Sequence, residues 1–179
     1  MEWLIIVLVL MFVIAPVMWL KPSPRQARVS RLRTTATQEG VTVKLAKPPL
    51  HEVRGTMPSY RWTYPPQRPG PRFMLVRNEK ASEALKTFRP GWRWRIEPLR
   101  PLPADAEDHL VMLLERLPQD ALVLESDREA LTMWWYESQQ GERFVAYAQS
   151  FAALRDALAG RPDRQGSAPV ESGSKSVKP

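Results

Sequence analysis

An unbroken apolar run opens the chain. From Trp3 to Leu20 there are eighteen successive apolar or small residues, and Glu2 is the one charge among the first twenty. A helix that is apolar on every face has no side to give to water, which confines it to the middle of a large assembly or to lipid. Eighteen residues at about 1.5 Å each span roughly 27 Å, near the thickness of a bilayer's hydrocarbon core, so the run predicts a transmembrane anchor over residues 1–20. Lys21, Arg25, Arg28, Arg31 and Arg33 all follow it, and no Lys or Arg precedes it. By the positive-inside rule the amino terminus then faces out and the remainder is cytoplasmic, with these basic residues at the membrane interface. Trp3 and Trp19 sit near the two ends, where indoles favour the headgroup level. A cleaved signal peptide is the weaker alternative, because the start is acidic, the run is long and Pro16–Lys21 offers no small-x-small cleavage site.

The remaining residues, about 160, suffice for one domain and its tails. With no cysteine in the chain, disulfides, thiolate metal sites and thiol nucleophiles are excluded. The two histidines, His51 and His109, are too far apart in sequence to suggest a zinc site or a triad. No Gly-rich phosphate loop, metal motif or nucleophile beside a base is present, so neither a cofactor nor an enzyme activity is expected.

Charge is segregated along the chain. The net charge is +7, but residues 21–100 hold eighteen Lys or Arg against five Asp or Glu, while residues 101–160 hold four against eleven. The basic half suits anionic headgroups or phosphate, and it can equally pair with the acidic half inside one fold.

Ser23-Pro24-Arg25-Gln26 has the form of a helix start, with Ser23 as N-cap and Gln26 closing a capping box, and Gly40 is a natural stop. A basic juxtamembrane helix is therefore predicted within residues 21–40, carrying only a thin apolar stripe of Val29, Leu32 and Ala36. Val41–Leu45, Tyr60–Tyr64, Arg72–Arg77 and Gly91–Ile96 read as strands, and Glu79–Phe88 as a short helix. Asp105–Leu117 is a helix with Leu110, Leu113, Leu114 and Leu117 on one stripe. Ala121–Glu125 and Leu131–Tyr136 form a hairpin, and a last helix runs from Glu142 to Ala159 with Phe144, Tyr147, Phe151, Leu154 and Leu158 inward. The predicted class is α+β: a transmembrane helix and a juxtamembrane helix, then a small cytoplasmic domain at 41–160 with a mostly antiparallel sheet and two helices. The polar residues 161–179 are expected to be a disordered tail.

Arginines alternate with aromatics in two strands, which raises nucleic-acid binding, but alternation places Trp62 and Trp94 on the face opposite Arg61, Arg93 and Arg95. The rings are then core, and the arginines form a candidate interaction surface. Trp134 and Trp135 are adjacent in a strand and point to opposite faces, so one indole is exposed unless something covers it. Glu125, Asp127, Glu129 and Glu137 read as a solvated acidic cluster around the hairpin.

The junction Trp19-Leu20-Lys21-Pro22-Ser23-Pro24-Arg25-Gln26 resembles the membrane exit of YajC, the accessory subunit of the bacterial Sec translocase, over about residues 1–33. That resemblance implies a single-pass bacterial inner-membrane protein whose partners are membrane lipid and a membrane protein complex, with the Sec translocase suspected. The expected function is a cytoplasmic protein-interaction domain held at the membrane. The alternative is a tethered binder of anionic lipid or nucleic acid acting through residues 21–100.

Overall fold

Alternating strand patterns and two strongly periodic helices assemble into a seven-stranded sheet with helices on one face. The computed structural model describes residues 2–19, 23–50 and 53–163, with side chains of the first helix described over residues 3–12. The elements in chain order are α1 (Glu2–Trp19), α2 (Pro24–Gln38), β1 (Thr42–Ala46), β2 (Met57–Thr63), β3 (Phe73–Arg77), a 3-10 turn at Asn78–Lys80, β4 (Thr87–Arg89), β5 (Trp92–Ile96), α3 (Ala104–Arg116), β6 (Ala121–Ser126), β7 (Ala130–Trp135) and α4 (Gly141–Leu158). Strand order is β1-β2-β7-β6-β3-β5-β4. Every neighbouring pair is antiparallel.

The two faces of the sheet are read directly from the period-two alternation. Tyr60 and Trp62 of β2, Phe73 and Leu75 of β3, Leu124 of β6, and Leu131, Met133 and Trp135 of β7 point to one side, where α2, α3 and α4 bury them. Met57, Met74, Val76, Val123 and Trp134 point to the other, where Leu50 and Val53 of the β1–β2 connection join them. The helical face is dominated by rings. Trp62 stacks on Phe151 of α4 at 4.0 Å between centroids and 10° between planes. Phe144 of α4 packs near Tyr60 and Trp135.

Three sequence-based expectations are corrected here. The first is the transmembrane anchor. α1 is described over 18 residues, and among the described residues no helix is long and apolar enough to cross a membrane. The expectations of a bacterial inner-membrane address, single-pass topology and an outside amino terminus rested on that span and fall with it. Among the described residues the fold is α+β with four helices, none of them long and apolar enough to cross a membrane.

The second is the basic juxtamembrane helix, expected to offer the fold little apolar surface. α2 begins as its capping box directs, with Ser23 Oγ accepting from Gln26 N at 3.2 Å and Gln26 Oε1 accepting from Ser23 N at 3.0 Å. Its thin apolar stripe is nevertheless enough to seat it: Leu32 and Ala36 are fully buried and the helix packs on α4 and β1.

The third is the short helix at Glu79–Phe88. Only a single 3-10 turn forms there, and Thr87–Arg89 instead pairs with β5 across a tight turn at Gly91, whose φ of 85° suits glycine. Phe88 still packs inward, 4.6 Å from the Trp94 ring. Of the tail, residues 161–163 are described and Asp163 accepts from Arg72 N at 3.0 Å; the rest lies outside the described residues.

Candidate functional site

The residues singled out in the sequence do not gather in one place. Trp3 is 81% exposed on α1, while the side chain of Trp19, and Lys21 entirely, lie outside the described residues. Arg25, Arg28, Arg31 and Arg33 all belong to α2, but they divide by role. Arg33 turns to the carboxylate of Glu137, donating from Nε to Oε1 at 2.7 Å and from Nη2 to Oε2 at 2.8 Å. Tyr60 Oη donates to the same Oε1 at 2.9 Å. Glu137 is buried and sits at φ 59°, a left-handed conformation that costs a residue with a Cβ about 1–2 kcal/mol. Three charge-assisted donors and a strained backbone converge on one carboxylate directly after β7, locking α2 to the sheet. The pairing holds the Arg33 guanidinium above its usual pKa, chiefly through the Glu137 hydrogen bond. Burial, then Glu137, pushes the Tyr60 hydroxyl well above the tyrosine range.

Arg25, Arg28 and Arg31 form no ion pair among the described residues. Arg28 and Arg31 line a groove between α2 and the start of α4, together with Thr35, Gln140, Gly141 and Glu142. Arg28 is half-buried, and its Nε is walled off without a hydrogen-bond partner.

The arginines of the candidate strand surface are engaged within the protein. Arg61 lies 3.7 Å from Asp127 and 3.5 Å from Glu129. Arg93 Nη1 donates to the carbonyls of Glu83 and Leu85, and Arg95 Nη1 to that of Pro49. Arg33–Glu137, Arg61–Asp127 and Arg89–Glu107 each join the basic half of the chain to the acidic half, so part of the charge segregation is spent inside the fold. Trp134 and Trp135 do face opposite ways, yet both are buried: Trp135 beneath α4, Trp134 in the cluster on the far face, donating to Glu125 Oε2 at 3.1 Å.

The acidic cluster is only in part the solvated turn that its composition suggested: Glu129 is 82% exposed on the hairpin loop, while Glu125 and Glu137 are drawn into the fold. Asp127 caps its own hairpin loop by accepting from Glu129 N and Ala130 N. Glu125 lies partly buried on the far face, where loss of hydration raises its pKa. Glu137 belongs to α2's anchorage on the other side. Sequence reasoning missed Tyr60 and Glu137 as a bonded pair, as well as Gln140 and Gly141, because nothing local marks contacts made across 77 or 104 positions. Arg77 was missed too. It donates to the carbonyls of Ala121 and Pro118 at 2.9 Å each and lies 4.6 Å over the Trp92 ring, and burial lowers its pKa. Among the described residues no group of three or more His, Asp or Glu is placed to hold a metal.

No protein-family model matches the chain, and no curated protein matches it. Among solved structures it is similar to the crystal structure of the mycobacterial trehalose monomycolate transport factor A, TtfA, at 10% identity and a TM-score of 0.35. That likeness covers 72% of this chain and 93% of the other. None of these comparisons bears on a translocase subunit.

Proposed function

We propose that this chain is a binding protein without catalytic chemistry of its own, in which the α+β domain presents α1 as a docking helix to a partner protein. The observation that carries this reading is the exposure of α1. Ten successive side chains, Trp3 to Phe12, are all apolar and each is at least half exposed, from 51% at Leu10 to 81% at Trp3 and Phe12. At about 100° per residue, ten positions go round the helix more than twice, so the exposed surface is a full sleeve rather than a stripe. A sleeve of that kind calls for apolar surface that encloses it. Among the described residues the domain itself offers none of that size. Its other exposed large apolar residues, Leu45, Leu99, Met112 and Tyr136, are scattered over separate elements. The occupant is therefore another molecule, and a cleft among apolar helices of a partner protein fits a cylinder better than a flat patch does.

Photo-crosslinking in cells tests this. With the crosslinker at Val9 or Phe12, a protein adduct of defined mass is expected, and with it at Arg128, on the hairpin loop, none. Adducts of lipid alone, or only of a second copy of this chain, overturn the reading.

A further inference from the structure

Helix α2 has a small hold on the domain. Two of its 15 side chains, Leu32 and Ala36, are fully buried. By contrast α3 buries four of 13, all but one of them leucine, and α4 buries five of 18, two of them phenylalanine. The rest of the hold converges on one carboxylate, where Arg33 donates to Glu137 twice and Tyr60 once. Water reaches that clamp, since 36% of the Arg33 side chain is exposed.

Three features of the docked helix oppose its seating. Glu137 is held at φ 59° while it is clamped, and release lets it return to the range that a residue with a Cβ prefers. The Nε of Arg28 is walled off without a partner, and water supplies one once α2 leaves. Arg28 and Arg31 meet the amino end of α4, where the helix dipole is positive, and Glu142 in the same groove forms no ion pair with either among the described residues. A small apolar footprint, one clamp and three opposing contributions mark a segment that opens before the rest of the fold.

We propose that α2 is a latch, leaving α4 and the sheet as one unit while the rest of the domain stays folded, and that the Arg33–Glu137 pair sets how often it opens. α1 precedes α2 in the chain, so opening lengthens the tether between the docking helix and the sheet, whose fixed end becomes β1. The latch goes beyond docking through α1 and does not need it. Its test reads α2 alone, so either can fail without the other.

Native-state hydrogen exchange of the ¹⁵N-labelled full chain in nonionic detergent tests this. The amides of Leu32, Arg33 and Ala36 are expected to open together, at least about a hundredfold more often than those of Leu124 and Met133 in the interior strands β6 and β7. Glu137→Gln is expected to speed the three α2 amides at least about tenfold, because their opening breaks the pair. Val123→Ala, in the buried cluster on the far face of the sheet, is expected to speed the two strand amides at least about tenfold and to leave the α2 amides within about twofold. A covalent lock supplies the converse. A Cβ at Gly141 would lie 3.6 Å from Thr35 Cβ, inside the roughly 3.5–4.5 Å that a disulfide spans, and the chain has no cysteine of its own. Oxidised Thr35→Cys/Gly141→Cys is expected to slow the α2 amides to the rate of the strand amides, and reduction to restore them. α2 amides as slow as the strand amides in the parent overturn the proposal, as do α2 amides unmoved by Glu137→Gln, sped alike by Val123→Ala, or indifferent to the lock.

Discussion

Arg33 and Glu137, 104 positions apart, meet as a two-pronged ion pair with both hydrogen bonds under 3 Å and the carboxylate buried. Together with the Tyr60 hydroxyl on the same oxygen, the pair fastens α2 to the end of the interior strand β7. Removing the carboxylate leaves one guanidinium and one buried hydroxyl without an acceptor. Glu137→Ala is expected to cost about 2–3 kcal/mol, below the range of a fully buried pair because Arg33 keeps a third of its side chain in water. Glu137→Gly loses the same bonds but relieves the left-handed backbone, so it is expected to be about 1 kcal/mol milder than Ala. Urea melts of the two variants decide this; equal losses would mean that the conformation at Glu137 carries no strain.

Much of the local structure was legible because burial imposes a period. Tyr60, Trp62 and Tyr64 alternate with Arg61 and Thr63, and all three rings are buried. Phe144, Phe151, Leu154 and Leu158 recur at helical spacing and form the buried side of α4. The strand order was not legible, since β2 pairs with β7 and β3 with β6 through contacts that no local pattern encodes. For the same reason Glu137 was read with its neighbours in sequence rather than with Arg33. α1 differs in kind: its apolar composition is visible in the sequence, but among the described residues no helix is long and apolar enough to cross a membrane. The groove residues Gln140, Gly141 and Glu142 look like an ordinary loop until α2 is laid against them.

Gly70 is fixed by a neighbour rather than by a turn. A Cβ there would fall 2.2 Å from Tyr64 Cε2, and Tyr64 is buried with its hydroxyl 2.9 Å from Ser126 Oγ. The ring has nowhere to retreat. Gly70→Ala is expected to destabilise by about 2–3 kcal/mol through overpacking. Adding Tyr64→Leu, which deletes the atoms in conflict, makes the double variant less destabilised than the sum of the singles. Strict additivity in thermal melts would show that the clash is relieved elsewhere.

Arg77 ties the end of α3 to the start of β6 through the Pro118 and Ala121 carbonyls while its guanidinium lies over Trp92. A lysine reaches the same region but cannot fork to two carbonyls or stack flat on an indole. Arg77→Lys is expected to cost about 1–2 kcal/mol and to speed amide exchange at Leu117 and Ala121, whose N–H groups close that junction. Unchanged exchange at those two amides would assign the loss to some other part of the fold.

Glu125 sets a pH dependence with a definite sign. Burial raises its pKa in the fold, against weaker opposing contributions from the Trp134 hydrogen bond and from Arg61 and Arg72. A carboxyl group raised on folding binds its proton more tightly in the native state, so its favourable contribution is complete below the ordinary carboxylate pKa and is lost as pH rises through the native value. At neutral pH the ionised group is a net burden. Glu125→Gln keeps an acceptor for Trp134 Nε1 and removes the charge, so the variant is expected to be more stable than the parent at pH 7. Water screens the exposed part of the side chain, which limits the gain to about 0.5 kcal/mol. The gain is expected to vanish by about pH 4, where the parent carboxyl is itself protonated. Paired urea melts at the two pH values settle the point, because a loss at pH 7, or a gain that persists unchanged at pH 4, is incompatible with a carboxylate penalised by burial.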